Sequence, residues 1–271
     1  MKVLKKSNQK ITILWGLTFF MAVGVSVDLR ALTPEQRGYR IVNERDRRDT
    51  GFDNSKAAAS MILRNRQGAT SKRSMRILRL EQKNDGDKTL VVFDDPRDVK
   101  GTALLTYTHR KGSDDQWLYL PAMRRVKRIS SSNRSGSFVG SEFSFEDLLS
   151  EELAKYTYRY IREETVAGHR CHVVERYPAY KNSGYTKQVL WMDKSEYRLW
   201  KIEFYDRKRS KIKTLTYSGY KQYLQRFWRA SKFTMVNHQN GKSTEIRFKQ
   251  WSFRTGLTDR DFDQRSLQRV R

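Results

Sequence analysis

The sequence predicts a mainly β protein, built as one strongly curved antiparallel sheet with a few short helices. Three observations carry this reading. From Ala57 onward apolar residues recur with period two, the spacing that puts them on one face of a strand. Turn residues interrupt that pattern roughly every 8–14 positions, as at Gln67-Gly68, Asp85-Gly86, Asp95-Pro96 and Lys111-Gly112. The later connections, Asp193–Arg198 and Asp206–Ser210, are short and polar. Such links suit antiparallel hairpins, because a parallel crossover needs a dozen residues or more.

Taken in order, the elements begin with a helix over residues 34–48. Thr33 is a good N-cap, and Pro34 fits the first helical position. Tyr39, Ile41 and Val42 give an apolar stripe, Arg45, Arg47 and Arg48 load the end, and Gly51 stops it. Strands are expected at 57–65, 73–82, 88–94, 101–109, 116–120 and 124–130. A second helix is expected over 144–154. Ser144 would cap it, Glu146 and Asp147 fall in its first turn, and Leu148, Leu149 and Leu153 follow. Strands resume at 156–165, 170–177, 185–193, 199–206, 212–223, 228–237 and 244–254, with Tyr156, Tyr158 and Tyr160 on one face and Trp200, Ile202 and Phe204 on another. A third helix is expected over 259–269. A sheet of this many strands has a concave face, and three short helices can plug its opening without filling it.

Composition narrows the setting. Aromatic residues make up 12% of the 271, too many for a disordered basic chain, so a packed core is expected. Lys2, Lys5, Lys6 and Lys10 precede an uncharged stretch from Ile11 to Val27, and Leu29 and Ala31 suit a cleavage site after Ala31. Residues 1–31 therefore read as a signal peptide directing the chain to the periplasm, with an uncleaved anchor as the alternative, and residues 32–271 as a single domain. Five basic residues and one acid leave with that segment, so the formal net charge falls from +25 to +21. In an exported protein such charge favours an anionic membrane surface or an acidic partner over nucleic acid. The single Cys171 can form no internal disulfide and reads as a small strand residue.

Catalytic arrangements are not apparent, so neither an enzyme nor a metal or cofactor site is expected. His109, His169, His172 and His238 are scattered, and His169 with His172 lacks a third ligand nearby. Ser130–Ser132 sit in no nucleophile elbow. Residues 240–244 imitate the end of a phosphate loop but lack its first glycine and lie between strand patterns.

The informative stretch is 115–147, where an aromatic strand enters a proline turn, then a basic strand, then a Gly/Ser loop carrying aromatics. Candidate residues for lining a hydrophobic cavity are Met75, Ile77, Leu104, Trp117, Tyr119, Val189, Trp191, Ile202 and Phe204. Phe138, Phe143 and Phe145, near Gly136 and Gly140, are candidates for a lid. Arg124, Arg125, Lys127 and Arg128 form a basic strand suited to a lipid phosphate or an acidic transporter surface, or to keeping a sheet edge solvated.

Three blocks resemble the LolA-like outer-membrane lipoprotein-sorting family: residues 93–105, 116–129 and 138–147. Shorter matches follow at Ser183–Tyr185, Phe204–Asp206, Met235–His238 and Gly241–Thr244. The resemblance implies an unclosed β-barrel capped by helices over a hydrophobic cavity. It implies a carrier for the acyl chain of a lipid or lipoprotein between inner and outer membranes. The branch resembled is the one found with RND/MMPL-type inner-membrane exporters. An accessory subunit that binds such a transporter through the basic strand, and an envelope polyanion binder, are the alternatives.

Overall fold

The structure, a computed structural model, describes residues 32–269; the expected signal segment lies outside the described residues. Helix α1 (Pro34–Asp49) opens on a capping box. The Gln36 amide donates to the Thr33 hydroxyl (3.2 Å), and the Thr33 amide donates to the Gln36 side chain (3.1 Å). Six strands follow: β1 (Asn54–Arg64), β2 (Thr70–Leu80), β3 (Lys88–Asp95), β4 (Ala103–Tyr107), β5 (Asp115–Leu120) and β6 (Arg125–Arg128). Seven more come after a long connection: β7 (Tyr156–Val166), β8 (His169–Pro178), β9 (Lys187–Asp193), β10 (Leu199–Tyr205), β11 (Lys211–Tyr223), β12 (Phe227–Asn237) and β13 (Ser243–Phe253).

All thirteen strands form one sheet in the order β6-β5-β4-β3-β2-β1-β13-β12-β11-β10-β9-β8-β7. Every neighbouring pair is antiparallel, and the first and last strands of the chain meet in the middle. β6 and β7 are the two free edges, so the sheet does not close. Met75, Phe93, Leu104 and Leu118 from one half pack in the same buried cluster as Val174, Leu190, Ile202 and Leu215 from the other. A flat sheet could not bring these together; the sheet is bent around a common interior.

Two expected helices are corrected. Residues 144–154 form only the 3-10 turns Glu146–Leu148 and Leu153–Lys155. Ser144 and Asp147 do make the local capping pair (2.7 and 3.3 Å), but Leu149 is extended and ends the turn, while Glu146 accepts from Tyr180 (2.6 Å), from Ser183 and from the Gly184 amide (2.8 Å), and Asp147 also accepts from Tyr185 (2.8 Å). Residues 259–269 also form 3-10 turns, Asp259–Phe262 and Gln264–Arg269. Their buried residues, Leu257, Phe262 and Leu267, recur every five positions, whereas an α-helical stripe needs three or four. These three cover a second cluster on the outer face, over Leu90, Val92, Ala103, Leu105 and Tyr119.

Helix α1 lies against β7 at the far edge, with Ile41 and Val42 in the inner cluster. Its approach depends on Gly38: a Cβ there would stand 2.8 Å from the Tyr160 amide nitrogen and 2.9 Å from the Arg159 backbone. On an exposed helix, alanine in place of glycine gains about 1 kcal/mol. Here the clash is with backbone that cannot swing away. Gly38→Ala is expected to destabilise the protein by about 1–3 kcal/mol, read as a lower urea midpoint. An unchanged or higher midpoint would contradict the close contact.

Candidate functional site

Because the two free edges are consecutive strands, residues 129–155 have to pass from one to the other across the open side. Three rings anchor this crossing segment. Phe138, Phe143 and Phe145 are all buried in the inner cluster, with the Phe138 ring centroid 5.6 Å from that of Phe93 and 5.8 Å from that of Phe145. Hydrogen bonds tie the segment to strands on both halves. Gln116 donates to the Phe145 carbonyl (3.0 Å) and Arg73 to the Val139 carbonyl. The Glu142 amide donates to Thr244 (2.9 Å), and Asn237 donates to the Glu142 carboxylate (2.7 Å). Next to β5, the buried Asp114 carboxylate meets both Arg134 (3.3 Å) and Lys155, which fastens the two ends of the segment at one point.

The rings fill only part of the hollow. Beside Phe143 a cavity of about 770 Å³ remains, bounded by the C-terminal half of α1, by residues 147–151 and by the inner face of the sheet. That volume is within the range of about 300–1,000 Å³ usual for small-molecule sites. Its floor is apolar: Ile77, Val91, Leu215, Phe233, Ile246 and Phe248. Its rim is cationic, with seven arginines against five carboxylates among the lining residues.

Most of those charges hold the walls together. Glu151, on the crossing segment, pairs with Arg45 of α1 and with Arg176 of β8 (2.7 Å). Burial alone would raise its pKa, but the Arg176 and Arg45 guanidiniums outweigh that and bring it down to about 2. Asp49 of α1 pairs with Arg229 of β12, and Arg48 with Glu196 (3.0 Å). Tyr217 and Tyr220, also lining residues, are held neutral far above the usual phenol range, first by burial.

The sequence-derived candidates fall into three groups. Ile77 and Phe143 line the cavity. Met75, Leu104, Ile202 and Phe204 share the inner cluster but lie outside the cavity lining, in the part that also holds Phe138 and Phe145. Trp117, Tyr119, Val189 and Trp191 are corrected to the outer face. Leu104 pairs with Leu118 and Ile202 with Leu190, so their strand neighbours point the other way. Trp117 and Tyr119 lie with the C-terminal turns, and Val189 and Trp191 lie with Cys171 and Val173. Trp200 also leaves the face of Ile202 and Phe204, because the register slips between Leu199 and Lys201. Arg125, Lys127 and Arg128 are exposed along the free edge β6, with Arg128 against Asp115, and Arg124, also exposed, lies outside the strand as the left-handed cap of the turn before it. Cys171 is buried, and burial followed by the Asp193 charge pushes its thiol up to about 11.

A crystal structure of a domain from Vibrio parahaemolyticus, provisionally described as outer membrane lipoprotein-sorting, is 52% identical in sequence. It superposes with a TM-score of 0.85 over 86% of this chain and 99% of its own. A DUF1329 family protein from Desulfovibrio piger is 31% identical, with a TM-score of 0.82 over 87% of this chain and 100% of its own. This chain belongs to the DUF1329 family. A LolA superfamily protein from Nitrosomonas europaea, 20% identical, matches at a TM-score of 0.68 over 87% and 99% of the two chains, and shows that the DUF1329 fold here is LolA-like. A family profile described only as that of an uncharacterized protein covers residues 85–269. No curated protein matches the chain. Among the described residues no helix is long and apolar enough to cross a membrane, and no cluster of His, Cys, Asp and Glu is arranged to hold a metal ion.

Sequence reasoning missed most of the lining. Phe233, Ile246, Phe248, Trp228, Arg229 and Trp251 all come from β12 and β13. The available signal was the density of aromatics between Phe227 and Phe253. It also missed Glu152, which follows the Glu151 pair. Burial, then the nearby Asp87 charge, pushes Glu152 up to about 7. A carboxyl whose folded pKa is raised contributes its full stability below the unfolded value, about 4.3, and loses it as pH rises through about 7. Glu152→Gln removes that loss. The melting temperature of the variant relative to wild type is expected to rise between pH 5 and pH 8; a difference independent of pH would refute the assignment.

Proposed function

We propose that the protein is a non-catalytic periplasmic carrier that takes the acyl chain of a lipid or lipoprotein into this cavity and moves it between the inner and outer membranes. The observation that carries the reading is the apolar floor beneath a crossing segment held by non-covalent contacts. An acyl chain of about 14–16 carbons, at roughly 0.8 kcal/mol per CH₂, costs on the order of 10 kcal/mol to leave in water. Burial against Leu215, Phe233, Ile246 and Phe248 offsets that cost without a covalent step, so the cargo can be released again. The relative from Vibrio parahaemolyticus, described for lipoprotein sorting, supports the same class of cargo. The segment bearing Phe138, Phe143 and Phe145 is the lid in this reading, since it is the part that covers the interior without belonging to the sheet.

Protein purified from a native periplasm is expected to carry lipid detectable by mass spectrometry, and empty protein to take up acyl chains from liposomes. Phe233→Lys places a charge on the cavity floor and is expected to reduce uptake at least about tenfold with the fold retained by circular dichroism. Uptake at the wild-type level in that variant would move the cargo elsewhere.

Exchange with an RND/MMPL-type inner-membrane exporter fits the exposed basic edge β6. Edge strands offer unpaired backbone groups as well as their side chains, and here the side chains are cationic. Reversing the charge at Arg124, Arg125 and Lys127 is expected to abolish capture of the exporter while leaving lipid uptake unchanged. Loss of uptake with capture intact would assign this strand to the cargo instead.

A further inference from the structure

Five large apolar side chains stand exposed among the described residues: Tyr39, Met123, Ile161, Leu224 and Val236. Leu224 is the one at the mouth of the cavity. It sits at the tip of the hairpin between β11 and β12, and its exposed neighbours Gln222, Gln225 and Arg226 belong to the cavity lining. Arg226 fastens this tip to the end of α1, donating to the carbonyls of Thr50 (2.8 Å) and Arg47 (3.2 Å).

The tip is built at a cost to stability. Leu224 and Gln225 both take left-handed backbone, with φ of 49° and 55°, and the Arg226 amide donates to the Tyr223 carbonyl (3.0 Å) to close the turn. Asn-Gly makes a turn of this hand with least strain. A leucine is disfavoured there, and this one is also 50% exposed. A single exposed leucine on an open face needs no explanation. One held in a disfavoured conformation, at a hairpin tip and beside a cavity mouth, points to something outside the molecule. The ground around it is cationic. Lys221 and Arg226 are exposed on the same hairpin, and exposed Arg254 follows Phe253, whose ring centroid lies 5.4 Å from that of Tyr223. None of these three cations pairs with a carboxylate among the described residues. Two acids at this end are already engaged: Asp49 by Arg229, and Glu81 by the amides of Gly51 (2.7 Å) and Asp53 (2.9 Å).

We propose that the β11–β12 hairpin tip is the membrane-docking point of the protein. Leu224 enters the interfacial layer of an anionic bilayer, Lys221, Arg226 and Arg254 meet its phosphates, and the cavity mouth is set against the lipid that supplies or receives the acyl chain. The proposal rests on the carrier reading and adds to it the place where the protein touches a membrane. An apolar side chain among unpaired cations matches a bilayer surface, which offers both a hydrocarbon boundary and negative charge. One inserted leucine and a few cations give a weak, reversible contact, as a shuttle between two membranes requires. Met123 supplies the control. It is 64% exposed and followed by Arg124 and Arg125, but following the antiparallel order across the sheet puts its turn at the opposite end of the strands, and it is not among the cavity-lining residues.

The test uses vesicles of phosphatidylcholine alone or with about 30% phosphatidylglycerol, in about 0.1 M salt. Cys171 is buried and is the only native cysteine, so an environment-sensitive fluorophore can be placed on Leu224→Cys or on Met123→Cys. The label at position 224 is expected to shift to the blue with the anionic vesicles, and the label at position 123 to stay unchanged. Leu224→Asn removes the apolar group and keeps a residue that accepts the left-handed turn, so the fold is retained. This variant is expected to bind the anionic vesicles about fivefold or more weakly in sedimentation and to take up oleate from them more slowly by a similar factor, with uptake of dissolved dodecanoate unchanged. Equal vesicle binding by wild type and Leu224→Asn, or a blue shift at position 123 and none at 224, overturns the docking proposal and leaves the carrier reading standing. Failure of the wild type to bind vesicles also overturns it and leaves the tip to a protein partner. Leu224-dependent vesicle binding without uptake of either acyl chain keeps the docking point and overturns the carrier reading itself.

Discussion

A thirteen-stranded antiparallel sheet that bends but does not close leaves a gap between its edges, and in this chain the two edge strands follow one another in sequence. The segment between β6 and β7 is therefore compelled to cross the gap. Whatever it carries is laid over the concave face. Phe138, Phe143 and Phe145 fill one part of the hollow, and the buried contacts of Asp114 with Arg134 and Lys155 hold the two ends of the crossing together.

Around the remaining part of the hollow the walls are joined by ion pairs. Glu151 joins the segment to α1 and β8, and Asp49 and Arg48 of α1 pair with Arg229 of β12 and with Glu196 in the turn between β9 and β10. Ion pairs of this kind need defined geometry and do not collapse to fill space as aliphatic side chains do. Apolar surface left exposed inside a folded domain is unfavourable unless something occupies it. The acyl chain proposed above would lie on this apolar floor.

Much of the architecture was legible in the residues. Alternation located every strand within a few positions, Thr33-Pro34 marked the start of α1, and the short polar links marked the hairpins. The two helices expected around Ser144 and Asp259 did not form. Around Ser144 the local capping pair with Asp147 is present, but it starts only one turn before Leu149 becomes extended, and Glu146 is held by Tyr180, Ser183 and Gly184 far along the chain. The candidate site was legible only in part. Of the lining, Ile77 and Phe143 were picked out, whereas the floor contributed by β12 and β13 was not.

The sequence by itself determined the strand pattern, the hairpin order, the capped first helix and the basic, aromatic character of the chain. These follow from local physics: side-chain alternation, turn chemistry and capping are decided within a few residues. Only the tertiary structure decided which face of each strand is inside. Trp117 and Leu118 are both apolar neighbours on one strand, and alternation separates them without saying which goes in. That choice is made by what covers each face, here the crossing segment on one side and Leu257, Phe262 and Leu267 on the other, and those coverings come from parts of the chain that no local pattern connects to the strand.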